Sequence, residues 1–394
     1  MSEPATICRE VPQLLTSFID AFVDYSFSGF ILPQKPKQTL TSIQTRYTSP
    51  DRLIAIGDLH GDLEKSKQSF KLAGLIDDSD RWTGGNTTVV QIGDVLDRGD
   101  DEIKILYFLE KLKHEALKSG GLIITMNGNH EIMNVDGDFR YVTPASLNEF
   151  RVWTSWFNIG NSMKNLCSGI DNKQNDIYKG VPNVFPGIRK EFHQGFRDRI
   201  AALRPNGPIS GRFISGNPTI LVIGDSVFVH GGLLKNHVEY GLERINNEVR
   251  DWVNGLKGRI SPGYLRGRDS VVWLRRFSEE KAKNCDCSAL EHVLATIPGA
   301  KRMIMGHTIQ QVGINGVCEN KAIRIDVGMS KGCGDGIPEV LEINRNSSEL
   351  RVLTSNPAFL ARKYSNPAIK TDGQKEGLGL LIPRHQPKQI EVKS

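Results

Sequence analysis

Three short clusters of Gly, Asp, His and Asn follow one another through the first third of the chain. They constrain the fold more than any other feature. They read Gly57-Asp58-Leu59-His60-Gly61-Asp62, Gly93-Asp94-Val95-Leu96-Asp97-Arg98-Gly99 and Gly128-Asn129-His130-Glu131. Each follows an apolar run of strand character: Leu53-Ile54-Ala55-Ile56, Val89-Val90-Gln91-Ile92, and Leu122-Ile123-Ile124-Thr125-Met126. Segments with helical spacing lie between them. A repeated strand–cluster–helix unit predicts an α/β fold whose parallel strands bring all three clusters to one sheet edge. Ligands bind at that edge in such folds.

The 394 residues are enough for one large α/β domain with additions or for two smaller ones. The formal charge of +5 is small for this length, and no basic run exceeds two residues, so no nucleic-acid partner is expected. No apolar stretch reaches the ~18 residues of a membrane span. The start, Met1-Ser2-Glu3-Pro4, lacks a secretory pattern and is acidic for a transit peptide.

Residues 1–51 read as an N-terminal helix and a linker. The helix, 11–27, carries an apolar stripe of Val11, Leu14, Leu15, Phe18, Ile19, Phe22 and Val23. It is expected to pack on the domain rather than to offer a docking face. The catalytic domain is expected over 52–345, with helices at 63–75, 101–118, 146–158, 187–203, 238–256 and 288–297. Further strands are expected at 219–224, 227–229, 302–305, 322–327 and 339–343. Residues 140–216 break the pattern and read as a helical insertion, a cap beside the site that could set specificity. Within it Trp153, Trp156 and Phe157 read as core rather than as pocket lining. From 346 to 394 the chain reads as a loose tail.

The six cysteines, Cys8, Cys167, Cys285, Cys287, Cys318 and Cys333, include no CxxC pair, so a metal role for them is weak. The expectation is reduced thiols in the cytosol. The closeness of Cys285 to Cys287 keeps redox control open.

The strand ends carry Asp58, His60, Asp94, Asn129, His230 and His307. Carboxylate, amide and imidazole donors together suit Mn, Fe or Zn rather than Ca. Six ligands exceed the need of one ion with an open position and fit two ions about 3.5 Å apart, with Asp94 from the middle cluster as the bridge. A water shared by two ions loses a proton near neutral pH and becomes the nucleophile. Arg98 offers a guanidinium matched to phosphate oxygens. His130 can protonate a leaving oxygen as general acid, and Asp97 can hold that imidazole in its charged form. Asp62, Glu64 and Glu131 are expected to cap helices or support these groups.

Gly-Asp-x-His-Gly, Gly-Asp-x-x-Asp-Arg-Gly and Gly-Asn-His-Glu, followed by His230-Gly231 and Gly306-His307-Thr308, resemble the metallophosphoesterase superfamily in its PPP-type phosphoprotein phosphatase branch. The resemblance covers about 52–345. It implies a calcineurin-like β-sandwich flanked by helices. It implies Asp58, His60 and Asp94 as ligands of a first ion, and Asp94, Asn129, His230 and His307 as ligands of a second. His130 is implied as the acid, Asp97 as its partner, and Arg98 with Asn129 as phosphate ligands. A second phosphate-gripping arginine is implied, with Arg140, Arg275 and Arg276 as candidates and Arg275 the expected one.

Ile325-Asp326-Val327-Gly328-Met329-Ser330 stands where eukaryotic Ser/Thr enzymes carry Ser-Ala-Pro-Asn-Tyr. With the run from Gly128 to Val142, it resembles the Shewanella-like protein phosphatases, in their plant branch without a plastid-type extension. That implies phosphoprotein substrates, with phosphoserine, phosphothreonine and phosphotyrosine unranked, and insensitivity to okadaic acid and microcystin. The cysteines of this group raise a redox partner and residence in the mitochondrial intermembrane space as the alternative to the cytosol. The Asp-Val-Gly-Met-Ser form is shared with symmetrical dinucleoside tetraphosphatases, so a nucleotide phosphohydrolase is the alternative activity.

Overall fold

The computed structural model describes residues 12–33, 42–166, 176–344, 350–356 and 387–389. The chain opens with helix α1 (Pro12–Ser28) and a two-residue strand β1 (Arg46–Tyr47). Strands β2 (Arg52–Ile56), β3 (Thr88–Gln91) and β4 (Leu122–Thr125) then alternate with helices α2 (Leu63–Leu72) and α3 (Glu102–Lys118). The three strands are parallel and in register, Ile54 beside Val89 and Val89 beside Ile123. Their carboxyl ends therefore release the three clusters at one edge, as the repeat predicts. Every residue of β3 is buried, which is why the run shows no polar alternation. The Asp62 carboxylate accepts the Lys65 N–H at 3.0 Å and starts α2. Helix α4 (Asn129–Asp136) begins inside the third cluster and ends at Gly137 in the left-handed conformation.

The insertion supplies α5 (Pro144–Asn165) and α6 (His193–Leu203). Thr143 caps α5 through the Ser146 N–H, with Pro144 at the first turn, and the helix runs past 158 to Asn165. Helix α6 starts at His193 rather than 187, after a short 3₁₀ turn at Lys190–Phe192. The aromatic trio serves packing. Trp153 stacks on Phe157 at 5.0 Å and donates Nε1–H to the Tyr107 oxygen, while Trp156 meets Phe22 of α1 edge-on at 5.9 Å. Helix α1 buries Ile19 and Val23 but leaves Leu14 and Phe18 exposed. Its Asp24 binds Arg212 at 2.7 and 2.9 Å and accepts the Tyr107 O–H at 2.8 Å.

A second sheet begins with the hairpin β5 (Ile220–Ile223) and β6 (Ser226–Val229). The expected helix over 238–256 is two, α7 (Lys235–Tyr240) and α8 (Leu242–Val253), divided at Gly241 with φ +108°. Helix α9 (Cys287–Ala295) leads to β7 (Arg302–Met305), β8 (Asn315–Val317) and β9 (Ala322–Arg324). This sheet has the order β1-β5-β6-β7-β9-β8, with β6, β7 and β9 parallel. The first sheet is completed by β10 (Glu339–Asn344), β11 (Leu350–Thr354) and β12 (Pro387–Gln389), in the order β12-β11-β10-β2-β3-β4. Both sheets contribute to one hydrophobic core.

Two expected boundaries shift. Residues 350–354 are a sheet strand, not tail, pairing with β10 from Leu350–Ile343 to Thr354–Glu339. β1 places part of the expected linker in the second sheet. A disulfide joins Cys287 at the start of α9 to Cys318 in the β8–β9 turn, so two of the thiols expected to be reduced are paired. Cys285 and Cys333 are free thiols, and Cys8 and Cys167 lie outside the described residues. Among the described residues, no helix is long and apolar enough to cross a membrane.

Candidate active site

The site lies where the strands of both sheets end. The backbone there is unusual for non-glycine residues: His60, Asp94, Asp97, Arg98 and His307 all have positive φ, from 44° to 67°. Such conformations cost energy and persist only where the surroundings impose them. Close packing forces them here. The His60 and Leu59 N–H groups both donate to the Asp94 carbonyl, at 2.9 and 3.0 Å. A Cβ at Gly128 would overlap Asp94 Oδ1, and one at Gly306 would overlap Asp58 Oδ1. Only glycine leaves room for those carboxylates.

Glu131 fixes the middle loop. Its carboxylate accepts the N–H groups of Asp94 and Gly128, both at 2.8 Å, and those of Val95 at 2.8 Å and Leu96 at 3.1 Å. The Asp94 side chain then has one defined position. Its Oδ2 lies 3.1 Å from His230 Nε2, 3.6 Å from His60 Nε2 and 3.8 Å from His130 Nε2. Two overlapping groups form around it, His60-Asp94-His130 and Asp94-His230-His307. Asn129 joins the second through Oδ1, 2.9 Å from His230 Nε2. Asp58 belongs to neither group. Its carboxylate accepts the His307 N–H at 3.1 Å. Burial and then the charge of Asp326 push its carboxyl well above the usual range.

These residues fit metal ions. The Nδ1 of His60 faces the Leu96 carbonyl and that of His230 the Ile92 carbonyl, each at 3.1 Å, so both rings turn Nε2 inward. Outer hydrogen bonds of this kind orient metal-binding imidazoles. His307 Nε2 is buried and has no hydrogen-bond partner among the described residues. Burial lowers the His60 pKa to about 4 and the His307 pKa well below its usual value, which keeps both neutral and able to donate a lone pair.

His130 faces the same space from the other side. Its Nδ1 is 2.6 Å from Asp97 Oδ2. Burial opposes charge on both groups. For Asp97 the His130 hydrogen bond and the Arg199 guanidinium outweigh it and hold the carboxyl below the usual range. For His130 the Asp94 and Asp97 charges outweigh it and raise the pKa. Asn134 and Arg199 complete the seat of Asp97, donating at 3.0 and 2.8 Å.

Arg98 lies 4.5 Å over the Tyr141 ring, and that ring is 5.1 Å from His130. Arg98 Nε is buried and has no hydrogen-bond partner among the described residues. Among the candidates for a second arginine, Arg275 is held at the site by the His307 carbonyl at 2.9 Å and Thr308 Oγ1 at 2.8 Å. Arg140 is spent on Asp138 and Arg276 on Asp286 in exposed ion pairs. Trp273, edge-on to His307 at 5.4 Å, and Tyr141 are site aromatics that the sequence did not mark. Nor were Arg199, Asn134 and Glu102 singled out. Asp326 appeared only within the Asp-Val-Gly-Met-Ser form. It is buried beside Asp58, and burial pushes its pKa up to about 6.

The fold and this site define a calcineurin-like phosphoesterase, and residues 51–311 match that family. The chain belongs to it and is a phosphatase of the hydrolase class. It is 64% identical to Shewanella-like protein phosphatase 2 of Arabidopsis thaliana over 392 residues, 99% of this chain and 98% of that protein. It is 31% identical to Shewanella-like protein phosphatase 1 of Plasmodium berghei, across 74% of this chain and 72% of the other. Among solved structures, a cold-active protein tyrosine phosphatase superposes with a TM-score of 0.59 at 22% identity, covering 82% of each chain. The family implies divalent metal ions, and the buried His and Asp side chains clustered around Asp94 could bind them.

Proposed function

We propose that this phosphatase hydrolyses phosphate monoesters on proteins, with His130 as general acid. The placement of His130 carries the proposal. Asp97 holds its Nδ1 at 2.6 Å, and its Nε2 lies 3.8 Å from Asp94 Oδ2, so the free nitrogen faces the ligand groups. Asp58, His60 and Asp94 would hold one ion, and Asp94, Asn129, His230 and His307 the other, with Mn or an Fe/Zn pair suited to the donors. Such a pair, when bound, would supply positive charge for phosphoryl oxygens and lower the pKa of water.

This chain's own residues do the rest. Arg98 and Arg275 offer guanidinium groups to the phosphate oxygens, with the Asn129 amide beside them. Glu131 keeps Asp94 in place while charge redistributes. Asp97 orients the His130 ring, so the Nε2 proton is delivered to the leaving oxygen as the P–O bond breaks. The Ile325–Ser330 stretch supports insensitivity to okadaic acid and microcystin. The Cys287–Cys318 disulfide supports the oxidising compartment over the cytosol, since disulfides are rare in the latter.

The test is a panel on Mn-loaded protein: phosphoserine, phosphothreonine and phosphotyrosine peptides beside diadenosine tetraphosphate, with and without okadaic acid. Turnover of phosphopeptides and not of the dinucleotide is expected, unchanged by nanomolar toxin. Turnover of the dinucleotide alone would move the assignment to nucleotide hydrolysis.

A further inference from the structure

Arg199 of α6 is fully buried, yet it comes from the insertion and not from any of the clusters. All five of its N–H groups are used. Nε donates to Asn134 Oδ1 at 2.9 Å; Nη1 donates to Ser146 Oγ at 2.7 Å and Glu102 Oε1 at 3.0 Å; Nη2 donates to Glu102 Oε2 at 2.7 Å and Asp97 Oδ1 at 2.8 Å. The Phe150 ring lies against the guanidinium at 4.6 Å. Ser146 also donates to Glu102, and Glu149 of α5 accepts the Ile103 and Lys104 N–H groups at the start of α3. The insertion is thus joined to the core by buried polar contacts, and one of them ends on the carboxylate that holds His130.

A structural role for Arg199 needs only Glu102 and Ser146, which anchor α6 to α3 and α5. The bonds to Asp97 and Asn134 go further. Asp97 uses Oδ1 for Arg199 and Oδ2 for His130 and Asn134. Asn134 in turn accepts the Arg199 Nε–H on its Oδ1. The guanidinium therefore fixes Asp97 directly and again through Asn134. A planar fork can do this, whereas an ammonium can satisfy only part of it.

We infer that Arg199 is a positioning residue for the general acid, through which the insertion sets the aim of the His130 Nε2 proton. This rests on the acid role proposed above for His130. In that step the P–O bond to the leaving group breaks as the bond to the incoming oxygen forms. The leaving oxygen keeps the electron pair and takes the proton from His130. A serine alkoxide needs that proton. A 4-nitrophenolate delocalises its charge and leaves without it. Misaiming the acid therefore slows one substrate far more than the other, which damage to packing or to metal binding would not do.

The experiment measures kcat and KM for a phosphoserine peptide and for 4-nitrophenyl phosphate, together with metal content, in wild type, Arg199→Lys and His130→Asn. Arg199→Lys should lower kcat on the peptide at least about tenfold. Peptide KM should stay within about twofold and metal content should hold. Turnover of the aryl ester should fall by less than about threefold. His130→Asn should show the same discrimination, larger. Equal losses on both substrates in Arg199→Lys, or no loss on either, would overturn the inference. If His130→Asn itself does not discriminate, the acid role fails and the inference goes with it. Should Arg199→Lys not fold, Ser146→Ala decides. It removes one contact of the guanidinium and leaves the buried charges in place, and it should move the ratio of the two kcat values in the same direction. An unchanged ratio would overturn the inference.

Discussion

The two sides of the site are built in different ways. On the side of the proposed metal ligands, Asp94, His60, His230 and His307 sit in loops that follow strands, and Asn129 opens helix α4. They are held by main-chain groups and by the carboxylates of Glu131 and Asp58. On the side of the proposed acid, His130 is held by Asp97, and Asp97 by Arg199 and Asn134, side chain upon side chain, with Arg199 reaching in from the insertion. The first arrangement rests mainly on main-chain groups, which side-chain substitutions elsewhere leave in place. The second makes the seat of His130, the proposed proton donor, depend on an insertion. The family chemistry of metal-assisted phosphoryl transfer belongs to the first side. The second is where, on the inference drawn for Arg199, this chain would adjust how a given leaving group is handled.

That contrast can be broken or sharpened by substitution. The largest effect is expected for Asp94→Asn, which should reduce turnover to background and lower bound metal, with circular dichroism unchanged. His130→Asn should lower kcat by ~10²–10⁴ and leave metal content near normal. Equal metal loss in the two variants would show that His130 belongs to the ligand side. Glu131→Gln replaces one acceptor oxygen with an amide that faces N–H donors. It should lower stability by about 1–3 kcal/mol in urea titrations and weaken metal affinity. A variant as stable as wild type would mean that Glu131 does not hold the Asp94 loop.

The smallest effect concerns pH. Asp97 is held below the usual carboxylate range in the folded chain. Its charge therefore stabilises the fold above the unfolded pKa of about 4. That contribution fades as pH falls through the lower, folded value. The stability difference between wild type and Asp97→Asn should narrow below about pH 4. A difference that widens on acidification would contradict the assigned charge.

The proposed ligands could be picked out of the sequence because each follows an apolar run of strand character. The parallel strands β2, β3 and β4 then fix where the clusters meet. Arg199 could not be found that way. Its segment, Phe196-Arg197-Asp198-Arg199-Ile200, looks like any amphipathic helix, and only the packing of α6 against α4 and α5 shows which arginine turns inward. Residues 350–354 escaped for a simpler reason. Asn346-Ser347-Ser348-Glu349 reads as the start of a tail, and five residues with one arginine among them give too little alternation to outweigh it. Gly241 shows the converse. The apolar spacing on both sides suggests one helix, but φ of +108° there divides it.

The most direct test of the central claim is a metal titration. The chain would be stripped with chelator and reloaded stepwise, with bound metal and phosphoserine-peptide turnover measured on the same samples. Turnover that is lost on stripping and returns in full only as about two ions bind per chain is the expected result. Full turnover at less than ~0.1 ion per chain would contradict a two-metal site around Asp94.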